Sequence, residues 1–346
     1  MTSHPQQTIR SHAGLRGIAA LAVVLLHYRQ NLTPAFDIDQ YTQFLAGAGA
    51  FVDLFFVLSG FILAANYTHW FSDGVGLTQV KGFLQRRVAR IYPLHLATII
   101  AFIGLLAVAG KPMPAASDVI ENLLMIHAWG MNDVYILNFP SWSISAEWML
   151  YLLFPFFAFA CARPTIWTSL VAAATIAYAA LFAFGDGFDI NERLSLWRAI
   201  PAFIFGMSLF VYRDADTGLS ATARNVLQVL SLFGIVAILH SGSLSILLIP
   251  LFSLLVLITR KDTGSVAAGL GVRPLVWLGD ISYSIYMLHV PIRAAMYLVF
   301  GKLGLDLATP QNATVFVVVC LAATLLCGAL SFRLFETPAR RWVGGR

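Results

Sequence analysis

A chain of 346 residues that is 59% hydrophobic and 11% charged, with a mean hydropathy of +0.77, is too apolar for a soluble protein of one or two domains. Its formal charge of +5 lies between apolar runs, the pattern of a membrane protein, so it does not argue for a nucleic-acid partner. The three cysteines, Cys161, Cys320 and Cys327, sit inside apolar runs, which excludes a disulfide framework and a zinc site, and no other metal-ligand spacing occurs.

Runs long enough to cross about 30 Å of hydrocarbon fall at 13–30, 45–67, 90–110, 142–161, 165–184, 195–212, 224–241, 243–259, 278–300 and 312–335. They predict an all-α polytopic membrane protein with ten transmembrane helices, in a single domain, 1–346, with no appended soluble domain. The first run is too long for a signal peptide and has no A-x-A-like exit, so it reads as a retained span. The pair 224–241 and 243–259 is divided only by Ser241-Gly242 and reads either as a tight helical hairpin or as one broken segment. Between the third and fourth runs, Ser117 to Trp129 reads as a short helix capped by Ser117 or Asp118.

Lysine and arginine concentrate in cytoplasmic loops. With the N-terminus inside, sixteen of the 22 basic residues, Arg213 and Arg346 among them, fall on the inner side, so both termini are predicted cytoplasmic. The outer segments 31–44, 111–141 and 185–194 carry acids instead: Asp37, Asp39, Asp118, Glu121, Asp133, Asp186, Asp189 and Glu192.

On the first span Arg16 and His27 are eleven positions apart, about 1100° at about 100° per residue, so they share one face and are separated by about 16 Å along the axis. Asp53 on the second span, Glu147 on the fourth and His289 on the ninth reach a similar depth to His27. Ionisable groups in spans are rare and mark functional pathways. A carboxylate beside an imidazole fixes its tautomer and raises its basicity, as a general base requires. His27 is the predicted base and Asp53 or Glu147 its orienting partner; the competing reading makes both carboxylates structural groups that hold helices together. His289 precedes Val290-Pro291, where a helix break leaves carbonyls in need of donors.

Arg86, Arg87 and Arg90 open the third span at the level of Arg16. Topological anchoring accounts for one or two such arginines, whereas four in one layer also make a site for phosphates. A pantetheine arm is about as long as the rise from Arg16 to His27, so coenzyme A held at the arginines places its thioester near the histidine.

The residues that carry this chemistry resemble the acyltransferase 3 family of membrane acyltransferases. The matching stretches are Gly14 to Ala20 with His27, an R-x10-H pattern; Phe51 to Phe61 around Asp53; Arg86 to Pro93; Ser141 to Glu147; and Tyr283 to Pro291, in the family's order. The resemblance implies an enzyme that moves an acyl group, usually acetyl from cytoplasmic acetyl-CoA, to a hydroxyl of a polysaccharide or lipid-linked glycan, in the bacterial inner membrane among its lipids. Oxyanion or substrate contacts are expected from Ser59, Trp142, Ser143, Ser145, Tyr286 or His289 by residue chemistry. No G-x-S-x-G elbow is present. The alternative is a transporter or flippase that uses the same histidine and carboxylates as a proton relay, though the paired repeats expected of one are not evident.

Overall fold

The computed structural model describes residues 9–130, 137–184, 195–211 and 218–343. Asp133, Asp186, Asp189, Glu192, Arg213 and Arg346, and with them the whole of 185–194, lie outside the described residues. The helices are α1 (Arg10–Leu32), α2 (Phe51–Tyr67), α3 (Leu77–Val108), α4 (Ala116–Leu123), α5 (Trp142–Cys161), α6 (Pro164–Phe184), α7 (Ser195–Val211), α8 (Ala221–Ser241), α9 (Leu248–Thr259), α10 (Ser265–Leu270), α11 (Arg273–Asp280), α12 (Ser282–Lys302), α13 (Pro310–Ser331) and α14 (Thr337–Val343). All ten apolar runs are helical, and no strand occurs among the described residues. Among the described residues seven helical segments, α1 not among them, are long and apolar enough to cross a bilayer, while α7 and α9 are shorter apolar helices.

The division at Ser241-Gly242 is a hairpin. Gly242, at φ +68°, ends α8 in the left-handed conformation that favours glycine, and one 3-10 turn, Ser245–Leu247, leads into α9. The short helix before the fifth begins at Ala116, and its cap differs from expectation. Asp118 accepts a hydrogen bond from the Ala115 amide at 3.1 Å, reaching back from the first turn rather than standing at the cap itself.

Helix α1 runs through the bundle, packed against α2, α11, α12 and α13. Its first residues carry no cap of their own. Asp262, on the turn after α9, accepts from the Arg10 amide at 2.9 Å and the Ser11 amide at 2.8 Å, and from the Ser11 hydroxyl at 2.6 Å. Partial burial pushes the Asp262 carboxyl up, but these bonds outweigh it and hold it below the usual carboxylate range. Outward faces are apolar: Val229, Leu230 and Phe233 on α8 and Val318, Leu326 and Leu330 on α13 are exposed, as lipid-facing surfaces require.

Helices α2 and α7 touch backbone to backbone. A Cβ on Gly60 would lie 2.1 Å from the Phe203 carbonyl oxygen, and one on Gly206 would lie 2.0 Å from that of Val57. Small residues allow this close approach between spans. Gly206→Ala is therefore expected to force the pair apart at a cost of about 1–3 kcal/mol. Thermal unfolding of the purified protein in detergent checks this, and an unchanged midpoint would contradict the packing.

Candidate active site

A cavity of about 470 Å³ opens among α1, α2, α3, α5, α12 and the C-terminal segment. Ile9, just before α1, and Arg340 of α14 both line it. Four guanidinium groups reach it: Arg16, Arg87, Arg90 and Arg340. Arg16 donates to the Gly279 carbonyl at 3.1 Å, and Arg87 donates to the Tyr67 hydroxyl at 2.9 Å. The Arg87 guanidinium also stands over the Tyr67 ring at 5.0 Å, which fixes its plane. The Nε groups of Arg16, Arg87 and Arg340 are buried with no partner among the described residues. Such donors are costly to leave unpaired, and together with the positive charge they suit the cavity to an anionic ligand.

Arg86 is not part of this cluster. Its guanidinium lies over the Trp70 ring at 5.0 Å, and neither residue lines the cavity. Helix periodicity does not choose between Arg86 and Arg87, because Arg90 is a near neighbour of both on the helix surface. The choice is made by Trp70 and Tyr67 at the end of α2.

Deeper in, Glu147 lines the cavity and accepts from Ser59 at 2.8 Å and from Tyr151 at 2.6 Å. The cavity closes at Ser143 and Tyr286, whose hydroxyl groups lie 2.7 Å apart. Tyr286 is also 2.8 Å from the Pro140 carbonyl oxygen. This triangle joins α12 to the turn Phe139–Ser141 and forms the inner wall.

Behind that wall stands a pair of histidines. His289 is fully buried, and its Nδ1 is 2.5 Å from the Tyr286 carbonyl oxygen, which only accepts, so Nδ1 carries the proton. Nε2 of His289 is then an acceptor, and it lies 2.8 Å from Nδ1 of His27. His27 must donate there, which leaves the lone pair of its own Nε2 free. The two rings are near parallel with centroids 4.9 Å apart, and Phe139 meets the His27 ring edge-on at 4.9 Å. Arg293 donates to the His27 carbonyl, and Tyr28 donates to the His289 carbonyl at 2.8 Å, anchoring both backbones.

The partner of His27 is therefore His289, and the structure brings neither Asp53 nor Glu147 to it. Asp53, with no exposed surface, accepts from Arg198 Nε at 2.9 Å in an ion pair that ties α2 to α7, and the Arg198 guanidinium lies over Trp142 at 5.4 Å. Ser145 is also outside the cavity, donating to the Met125 carbonyl at 2.8 Å and accepting from the Ala128 amide at 3.2 Å, so it braces the connection that follows α4. No break occurs at Pro291, since α12 continues through it, but the carbonyl that proline leaves without an amide donor does need one, and a residue other than His289 meets it. Pro291 has no amide to offer the Met287 carbonyl four residues back, and Asn138 donates to that oxygen at 2.9 Å. His289 is thereby released for the pairing with His27. Among the described residues no cluster of histidine, cysteine or carboxylate groups suits a metal ion.

Residues 13–332 match the family described as an acyltransferase domain. The chain is 28% identical to acyltransferase MdmB of Streptomyces mycarofaciens over 99% of its own length and 95% of that protein. It is 34% identical to protein 2 in the picA locus of Rhizobium radiobacter over 42% of its length and 81% of that protein. Against O-acetyltransferase OatA of Staphylococcus aureus it is 25% identical over 95% of its length, which covers 56% of that relative. No solved structure matches the chain. With the family matched across nearly the whole bundle, the chain belongs to the acyltransferase 3 family and is an acyltransferase built into a membrane.

Proposed function

We propose that the protein is an O-acyltransferase that takes an acyl group, most simply acetyl, from cytoplasmic acyl-CoA and delivers it to a hydroxyl of a polysaccharide or lipid-linked glycan at the bacterial inner membrane. The observation that carries this reading lies on α1: Arg16 enters the cationic cavity, while His27, about 16 Å along the axis, keeps a free Nε2 beyond the inner wall. The relative named an O-acetyltransferase supports a hydroxyl acceptor and an acetyl group.

In this reading Arg16, Arg87 and Arg90 bind the phosphates of the donor and the pantetheine arm runs inward past Glu147. Ser143 and Tyr286 offer hydroxyl donors to the thioester oxygen once Tyr286 releases Pro140. His27 Nε2 accepts the proton of the acceptor hydroxyl as its oxygen bonds to the thioester carbon. The carbon–sulfur bond then breaks, and the departing thiolate takes that proton from His27. His289 stays neutral and holds the His27 tautomer throughout, the task first assigned to a carboxylate.

The test is mass spectrometry of surface glycans and lipids from cells with and without the gene. A gain of one acyl mass on a hydroxyl, present only with the gene, is the expected result. Identical acylation in both would overturn the reading.

A further inference from the structure

The C-terminal segment supplies a wall of the cavity. After α13 the chain makes one π-helical turn, Phe332–Glu336, closed by the Thr337 amide donating to the Phe332 carbonyl, which also accepts from the Thr337 hydroxyl at 2.7 Å. Such a turn adds a residue to the helical ring and re-aims the side chains beyond it, and it recurs at functional sites. Here Phe332, Glu336 and Arg340 all reach the cavity. Glu336 and Arg340 are four residues apart and so share one helix face.

This segment is held in place from two sides. Glu336 is buried and accepts from Ser284 of α12 and from Ser331 at 3.4 Å, and α14 packs against α3, the helix that carries Arg87 and Arg90. With its carboxylate engaged by serines, Glu336 forms no ion pair with Arg340 among the described residues. Arg340 keeps a buried Nε donor without a partner, as Arg16 and Arg87 do. Its neighbour Arg341 is exposed and does not line the cavity, so the helix presents one of the two arginines to the site and the other to the surroundings.

We infer that Arg340 is a phosphate-binding residue of the donor site, completing with Arg16, Arg87 and Arg90 a four-arginine cradle for the nucleotide end of acyl-CoA. This rests on the donor assignment made above. It also means that the chain must fold through its last helix before the donor site exists.

The test is calorimetric titration of coenzyme A, and separately of phosphate-free pantetheine, into the purified full chain and its variants. Arg340→Gln is expected to weaken coenzyme A roughly tenfold to a hundredfold, the cost of one or two charge-assisted hydrogen bonds. Pantetheine binding should not change. Arg341→Gln, which removes the same charge from the same helix, is expected to leave coenzyme A affinity within about twofold. Arg340→Lys keeps the charge but loses the guanidinium fork, so it falls between Arg340→Gln and wild type and carries the test if Arg340→Gln does not purify folded. Equal affinities in wild type and the Arg340 variants, with Arg87→Gln still impaired, would overturn the role of Arg340 and leave the donor assignment standing. A wild-type protein that binds no coenzyme A would overturn both.

Discussion

His27→Ala is expected to lower the rate of acyl transfer by about 10²–10⁴-fold, the usual share of a general base, with little loss of folded protein. The side chain is half-buried rather than part of the packed core, so its removal leaves no large void. His289→Ala should also slow the reaction, by less, because His27 keeps its base nitrogen but loses the acceptor that fixes its tautomer. Initial rates with labelled acyl-CoA, normalised to monodisperse protein, check both. A His27→Ala enzyme at the wild-type rate would remove the base, whereas a His27→Ala protein that fails to fold would show the pair to be structural.

The second large effect falls on stability. Asp53→Leu alone removes the carboxylate that neutralises the buried Arg198 guanidinium and is expected to destabilise the bundle by about 3–5 kcal/mol, enough to abolish recovery of folded protein. Joining Asp53→Leu to Arg198→Met replaces both ends of the ion pair with apolar groups and should restore folding, since such replacements are close to neutral. The same double variant should transfer acyl groups. Folded but inactive double-variant protein would return Asp53 to the chemistry, whereas folded and active protein confines it to the α2–α7 contact.

Most of the architecture is legible in the sequence because hydropathy and helix length are local properties. Each of the ten runs became helix, and the shared face of Arg16 and His27 follows from the helical repeat alone. The pairings are another matter. Depth along a span can be estimated from residue counts, and by that measure Asp53, Glu147, His27 and His289 occupy one layer. Which way each side chain turns within the layer depends on how the helices pack, and residue counts say nothing of that. Asp53 turns to Arg198 of α7, a buried arginine whose position in an apolar run is the one sequence signal for that pairing. Glu147 turns to Ser59 and Tyr151. That left His27 to the one layer member with both an acceptor and a donor, His289, 262 residues away.

The arginines teach the same lesson at the other end. Four basic residues at one level suggest a phosphate site, and four arginines do line one cavity, but Arg340 stands there in place of Arg86. By charge alone Arg340 is one of the sixteen basic residues on the predicted inner side, a position that topology already explains. Its role emerges only once the π-helical turn has aimed it inward.

In the proposed mechanism the arginine cavity and the histidine pair are two ends of one site, divided by the side chain of Tyr286. Its most direct test is an experimental structure with a non-transferable acyl-CoA analogue bound. Phosphates are expected on Arg16, Arg87, Arg90 and Arg340, with Tyr286 turned away from Pro140 and the acyl carbonyl placed so that an acceptor oxygen about 3–3.5 Å from it also reaches His27 Nε2. An analogue seated elsewhere, or one whose acyl group stops short of an unmoved Tyr286 with His27 sealed behind it, would contradict the claim.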